Sequence, residues 1–448
     1  MIAVADQRPP SILRAFLSPK CAAMAALGFA SGLPYSITNE TASVRLAELK
    51  IDPATIGLIG AIAGVYSLKF LWAAIVDARP VPGLASFGRR RSWLLATQIP
   101  LIIAIAALAW LMPPEKDSPL LPMAITLFAI GALSATQDIV VGAWTVDAFP
   151  KRELGIGSAM TVAGYRIALL VGGLFALSIA KRLGWPAAFL ALAAMMSIGM
   201  VVTLFSREPA VETPPPQPLM RAFRAPIIDL ARRIGFGLVI VTLFVLVYRL
   251  PDQLGNPMQK SLLLDTLGYE KEQYGVFRNA VGLGAMLLGA FLGGGFVARF
   301  GLLRTLLIGA MLQALSNLGF AWLAQVVVPL HGNVQPWLSW PMQALTLVSG
   351  IENLCGGFVG TAFVAYLATL CTPRYAATQY ALLTGVMAFA GAIASERSGH
   401  LANFLNDWPA YFAWTAVAGV PGAVLVYSAV RCLTRDSSFR AAEQDPQR

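Results

Sequence analysis

Apolar residues run along the chain in long blocks separated by short polar stretches. A helix that crosses a bilayer needs about 20 mostly apolar residues. On that rule the pattern predicts spans near 21–45, 55–77, 92–112, 119–147, 155–181 and 186–206. A second set follows near 234–255, 273–299, 301–328, 338–372, 375–403 and 408–432. Between the sets lies REPAVETPPPQPLMRAFRAPIIDLARR (207–233). Its PPPQP is extended and helix-breaking, and the basic stretch after it suits an amphipathic segment on the membrane surface. The expected architecture is an all-α integral membrane protein. It has an N-terminal six-helix bundle over 1–206, a linker over 207–233, and a C-terminal six-helix bundle with a short tail over 234–448.

Composition agrees with lipid as the solvent. The chain has 448 residues, 57% hydrophobic and 12% charged, with a mean hydropathy of +0.67. Soluble proteins carry about 25% charged residues. The net charge of +10 sits in short gaps between apolar blocks, which argues against a nucleic-acid partner. No Gly-rich phosphate loop, zinc-type Cys/His spacing or nucleophile elbow is present, so no enzyme activity, cofactor or metal is expected. Cys21, Cys355, Cys371 and Cys432 fall in or beside apolar blocks, where isolated cysteines are small apolar fillers. The N-terminus is polar and interrupted by prolines. It does not read as a cleavable signal, and the first span is expected to remain as an anchor. Most of the 33 Lys and Arg residues fall on the side of the N-terminus, which puts both termini in the cytoplasm.

Two short basic loops occupy equivalent places in the halves. DARPVPGLASFGRRR (77–91) follows the second span, and ARFGLLR (298–304) follows the eighth. Asp77, Arg89, Arg90, Arg91, Arg299 and Arg304 are candidate gating residues, because such loops lock helix ends by charge pairing in one state of a rocking transporter. Plain positive-inside charge is the alternative. The second copy lacks the acid, with Ala298 in its place.

Ionisable residues inside spans are functional candidates by default. In SATQDIVVGAWTVD (134–147), Ser134, Asp138, Val141, Gly142 and Thr145 share a helical face. Asp147 points to nearly the opposite side, beside Pro150, Lys151 and Arg152. It belongs with the cytoplasmic rim, and its loss is expected to matter much less than that of Asp138. Asp138, with Gln137 beside it, is the cavity candidate. A purely structural pair with Lys69 or Arg166 is the alternative. The tenth span, SGIENLCGGFVGTAF (349–363), offers Glu352 and Asn353, while Gly356 and Gly360 at four-residue spacing permit close helix contact. The first span bends at GFASGLP (28–34) and then offers Asn39 and Glu40. Arg166 is placed to meet an anionic cargo or Asp138, and Arg249 stands near Asp252, which reads as close to the outer surface. Arg278 and the pair Glu396–Arg397 complete the set. There are only two histidines, both expected near the outer side, so carboxylates must carry any coupled protons. Asp138 and Glu352 come first, then Glu40.

Several blocks resemble the AmpG-type muropeptide permeases, in the acetyl-CoA-transporter-like branch of the major facilitator superfamily. They are GFASGLP (28–34), LKFLWA (68–73), GRRRSWLL (88–95), SATQDIV (134–140), GYR (164–166), LQALSN (312–317), ENLCGGFVGTAFVAYL (352–367) and ATQYALL (377–383). The resemblance implies the twelve-helix major facilitator fold and the bacterial inner membrane. It also implies proton-driven import of GlcNAc-anhydromuramyl peptides from periplasm to cytoplasm. The implied partners are a small-molecule cargo, protons and the lipid bilayer. Arg166, Arg249, Asn39, Gln137, Asp138, Glu352 and Asn353 would form the cargo site. The chain departs from the family pattern at Gly142, where a second acid is usual, at Thr145, at Arg278–Asn279 and at Arg249. Related importers carry siderophores such as pyochelin or rhizobactin, so siderophore uptake is the alternative.

Overall fold

The computed structural model describes residues 12–52, 68–209, 219–267, 269, 281–327 and 339–435. Ten helical segments among them are long and apolar enough to cross a membrane. One of these, Gly282–Val327, is two spans joined at Gly301 (φ 80, ψ 169). The first half contributes α1 (Pro19–Ser36), α2 (Phe70–Ala78), α3 (Arg89–Leu111), α4 (Leu121–Ala148), α5 (Leu154–Leu170) and α6 (Trp185–Phe205). A surface helix, α7 (Leu219–Ile234), precedes the second half. That half contributes α8 (Gly237–Val247), α9 (Leu250–Lys260), α10 (Gly282–Val327), α11 (Trp340–Leu370), α12 (Ala376–Leu405), α13 (Trp408–Val417) and α14 (Val420–Arg435). Only the end of the expected second span, Phe70–Ala78, is seen, since 53–67 lie outside the described residues. Arg278, Asn279, His331 and the PPPQP stretch also lie outside them.

The helices are not uniform cylinders. α1 passes through a π-turn at Ile37–Thr41 before resuming as Ala42–Glu48, and α5 passes through another at Val171–Phe175. Each π-turn inserts a residue and rotates the faces beyond it. The two turns lie side by side: Thr41 Oγ1 donates to the Gly172 carbonyl at 2.7 Å, and Ser36 Oγ to that of Leu169 at 3.3 Å. Below them glycines bring α1 and α5 into backbone contact. A Cβ at Gly164 would stand 1.8 Å from the Ala25 carbonyl oxygen, and one at Gly28 would stand 2.2 Å from that of Thr161. Gly164→Ala is therefore expected to cost about 1–3 kcal/mol by overpacking, read as a lower unfolding midpoint in detergent. An unshifted midpoint would mean the pair can separate freely.

Small residues close α10 on α11 in the same way, but at another glycine than the spacing suggested. Gly357, not Gly356 or Gly360, meets backbone, with its Cβ position 2.1 Å from the Met286 carbonyl oxygen. Gly356 and Gly360 instead face Met286 Cε at 3.7 Å and Arg249 Nη1 at 3.5 Å. The four-residue spacing marked the right helix but the wrong face, because three adjacent positions all carry small groups or none.

The two basic loops share a backbone corner. Gly88 (φ 97, ψ 176) and Gly301 each follow a phenylalanine and precede an arginine by three residues. Only glycine adopts this conformation without strain, which explains the aperiodic glycine in each loop.

The apolar core shows how the halves meet. At the end carrying Arg89–Arg91, one cluster includes Met24, Trp144 and Phe149 of the first half with Phe244, Phe363 and Tyr366 of the second. Toward the far end the core divides. One cluster there, with Leu33, Ile105 and Phe189, draws only on the first half. The other, with Leu262, Phe320 and Phe412, draws only on the second. Among the described residues, the core joins the halves at the arginine-rich end and divides between them at the other.

Candidate transport site and gate

A cavity of about 240 Å³ is lined by residues of both halves. The first half supplies Glu40 and Arg166, and the second supplies Arg249, Asp252, Ser349, Glu352 and Asn353. Five charged side chains thus line one space. Glu40 lies over the α5 π-turn, with its carboxylate 3.2 Å from where a Cβ at Gly173 would stand. Glu352 is buried, and Asn353 donates to the Ser349 carbonyl at 2.9 Å.

Asp138 stands apart from this lining. Its Oδ1 accepts from Ser31 Oγ at 3.0 Å, and its Oδ2 is paired with the Lys69 ammonium. The Asp138 side chain is 29% exposed and Lys69 only 7%. Three helices of one half therefore converge on a single carboxylate, and its cation is Lys69, not Arg166. Arg166 lines the cavity instead.

Two expected cargo residues fall elsewhere. Gln137 is fully buried, and neither its Oε1 nor its Nε2 has a hydrogen-bond partner. Adjacent positions on a helix are about 100° apart, so Gln137 turns away from the face of Asp138. The Asn39 carboxamide bonds back to its own turn, donating to the Tyr35 carbonyl at 3.0 Å and Thr38 Oγ1 at 3.2 Å. It is not in the lining, because the π-turn carries Glu40 inward in its place. Conversely, Asp252, Asn256, Gln259 and Ser349 line the cavity although the sequence did not single them out as cargo residues. Asp252 is only 4% exposed, far from the surface position expected for it. The prolines at 251 and 257 were the available signal, since helix breaks in membranes persist where they line a cavity.

The joined end is closed by a buried ionic network. Asp77, at the end of α2, accepts from the backbone N–H of Ala377 at 3.1 Å and of Thr378 at 2.7 Å, and from Thr378 Oγ1 at 2.7 Å. A carboxylate of one half thus caps the N-terminus of α12 in the other, where unsatisfied N–H groups and the helix dipole favour an anion. Arg90, fully buried, bridges Asp77 at 3.1 Å and Asp147 at 2.7 Å. Arg89 donates to the Asp77 carbonyl at 3.2 Å and across the halves to the Pro373 carbonyl at 3.4 Å. Arg91 stays within its half, bonding the Thr203 and Leu204 carbonyls at 3.0 and 2.6 Å. Arg299 and Arg304 are exposed, and Arg299 lies over its neighbour Phe300. Neither joins the network, because without an acid at 298 there is no buried anion to draw them in. Of the six gating candidates, Asp77, Arg89 and Arg90 form the closure.

Gly142 belongs to this closure. A Cβ there would stand 2.3 Å from the ring of Tyr380 on α12, so the ring of one half seats on the bare backbone of the other. Gly142→Val is expected to hold the joined end apart and cut transport by about tenfold or more, through overpacking of a tight interface. Shortening the partner, as Gly142→Val/Tyr380→Ala, should recover much of the loss in a double-mutant cycle. Equal defects in the single and double variants would exclude the contact as the cause.

The Major Facilitator Superfamily model matches residues 21–395. The chain is 36% identical over 415 residues to the anhydromuropeptide permease of Escherichia coli (strain K12), covering 92% of this chain and 80% of that protein. It is 30% identical over 396 residues to a provisionally named AmpG transporter of Rickettsia typhi, covering 86% and 90%. Among solved structures, it matches the major facilitator transporter FucP in the outward conformation at a TM-score of 0.66 and 12% identity, covering 93% of this chain and 99% of that one. It matches the proton:xylose symporter XylE, bound to 6-bromo-6-deoxy-D-glucose, at 0.60 and 13%, covering 93% and 95%. These matches are to permeases and transporters, not enzymes, and the all-α twelve-helix fold implied by the resemblance is present. The chain is a multi-pass membrane protein that belongs to the major facilitator superfamily, in its AmpG-type permease branch.

Proposed function

We propose that the protein imports muropeptides, GlcNAc-anhydromuramyl peptides, from periplasm to cytoplasm by proton symport. The observation that carries this reading is 36% identity to the E. coli anhydromuropeptide permease across 92% of the chain. The protein sits in the bacterial inner membrane with both termini cytoplasmic, as the distribution of Lys and Arg favours. The joined, arginine-rich end is then the cytoplasmic gate, and the cavity faces the periplasm. Residues 1–206 rock against 234–448, with 207–233 as the linker, and the Asp77–Arg90 network breaks as the cytoplasmic end opens. Arg166, Arg249, Glu352 and Asn353 take the cargo. Asp138, Glu352 and Glu40 are the proton carriers, with Lys69 paired to Asp138.

The test is uptake by the purified full chain in proteoliposomes under an imposed inward proton gradient. Labelled GlcNAc-anhydromuramyl peptide should accumulate, and a protonophore should abolish the accumulation. Accumulation of ferric pyochelin or ferric rhizobactin in place of the muropeptide would overturn the reading.

A further inference from the structure

The surface helix α7 has two unlike sides. At about 100° per residue, Pro226, Asp229, Leu230 and Arg233 fall on one side, and Arg224, Ile227, Ile228 and Arg232 on the other. The first side is fastened to the bundle. Gln379 of α12 is buried, and its Nε2 donates to the Pro226 carbonyl at 3.0 Å and to Asp229 Oδ2 at 2.9 Å. Arg233 donates to the Leu370 carbonyl, at the end of α11, at 3.0 Å. The helix also packs against the end of α2, so it lies across the seam that Asp77 closes. These bonds fix which way the second side points.

That outer side does not suit water alone. Ile227 and Ile228 are 48% and 42% exposed, and they stand between the exposed arginines 224 and 232. The one acid of the helix, Asp229, is on the inner side, paired with Arg233 at 2.9 Å. The outer side therefore carries positive charge without an acid to offset it. An amphipathic helix with arginines around an apolar strip is the form that lies in an anionic membrane interface.

The place where the helix ends favours the same partner. Gly235 (φ 60) turns the chain, and Phe236, 85% exposed, opens the span α8. α8 and α14 pack closely at both ends. A Cβ at Gly237 would stand 2.6 Å from Cys432 Sγ, and one at Gly422 would stand 2.9 Å from the Tyr248 Cα. Each helix of this pair turns an apolar stripe outward: Phe236, Val239 and Leu243 on α8, and Val420, Val424 and Tyr427 on α14. Exposed apolar stripes on membrane spans face lipid. Arg232 comes four residues before the first stripe, and Arg431, lying over the Tyr427 ring, ends the second. Arginines thus stand where two lipid-facing stripes stop, which is the level of the headgroups.

We propose that the outer side of α7 binds anionic phospholipid. The guanidinium groups of Arg224 and Arg232 take lipid phosphates, and Ile227 and Ile228 enter the boundary of the acyl chains. The inference does not depend on the cargo. The bound lipid bears on the gate, because the opposite side of the same helix holds Gln379, two residues from the helix start that Asp77 caps.

The experiment places a small fluorophore on α7 of the full chain in phosphatidylcholine proteoliposomes. Ala231→Cys carries it, since position 231 lies between Ile227 and Arg232 on the outer side and leaves all four residues in place. Cys432→Ala is included, because Cys21, Cys355 and Cys371 are buried and Cys432 is only partly so. Lipid bearing a quencher near the headgroup is added at equal mole fraction, as phosphatidylglycerol or as phosphatidylcholine. Quenching by the phosphatidylglycerol should be greater by about twofold or more, and the excess should shrink as salt is raised. In Arg224→Gln/Arg232→Gln the two lipids should quench alike. Arg299→Gln/Arg304→Gln, which removes two other exposed arginines, should keep the excess. Equal quenching in the parent, quenching by neither lipid, or an excess that survives Arg224→Gln/Arg232→Gln overturns the proposal. So does an excess lost equally in both paired variants, since that would report overall charge and not this face.

Discussion

Asp138→Asn is expected to abolish proton-driven uptake while the protein still inserts in the membrane. The carboxylate is held by the Lys69 ammonium on one oxygen and by the Ser31 hydroxyl on the other. Asparagine keeps the shape and the Ser31 bond but cannot take up and release a proton. It also leaves a cation, 7% exposed, without its counter-charge, and stranding a buried charge costs about 3–5 kcal/mol. Two effects are therefore mixed in the single variant. Lys69→Met/Asp138→Asn separates them: it removes the stranded cation, so stability should return while gradient-driven accumulation stays absent. Counterflow, which needs exchange but no net proton movement, should persist in the double variant. Wild-type accumulation in Asp138→Asn would remove this residue from the coupling mechanism.

The second large effect reverses the sequence expectation. Asp147→Asn was expected to be mild, because Asp147 lies on the far side of α4 from Asp138. The far side of α4 is where Asp147 stands, and there it meets Arg90 in a buried pair. The side chains of Asp147 and Arg90 are 0% and 1% exposed, with 2.7 Å between Oδ2 and Nε. Without that charge, Arg90 would rely on Asp77, which already accepts from two backbone N–H groups and Thr378. A buried guanidinium left half-paired costs about 3–5 kcal/mol. Asp147→Asn should therefore lower the unfolding midpoint in detergent by several degrees, clearly more than the exposed control Glu396→Gln. It should also weaken closure of the arginine-rich end, read as greater labelling of a cysteine placed beside Asp77. An unchanged midpoint together with unchanged labelling would show that the closure does not depend on this bridge.

The sequence carried much of the fold. Unbroken apolar runs report helices directly, since lipid leaves the backbone no other partner. The glycine corners at 88 and 301 showed the repeat before any packing was known. The site was legible only in part. Helical periodicity gave the face of Asp138 but left its partner open between Lys69 and Arg166, because both come from other helices and the sequence holds no distance between them. It failed for Asn39, where the π-turn carries its neighbour Glu40 into the lining instead. It failed for Asp252, because the break at Arg249 resets the helical phase. It failed for Gln137, where nearness in the chain was taken for nearness in space. Arg299 and Arg304 looked like Arg89 and Arg90 by position, yet burial of an arginine needs an anion, and the second loop offers none. Gly142 appeared as a missing acid and turned out to be the seat of Tyr380.

The glycine corners have a consequence for how the protein tolerates change. Gly88 and Gly301 give the halves one backbone plan, but the carboxylate that spans the halves is written on only one of them. A frame with a pseudo-twofold axis and a one-sided fastener has no redundancy. Damage to the loop after the second span has no backup elsewhere, whereas equivalent damage after the eighth leaves the fastener whole. Inactivating substitutions in these loops should therefore concentrate in the first, and the second should drift far more freely.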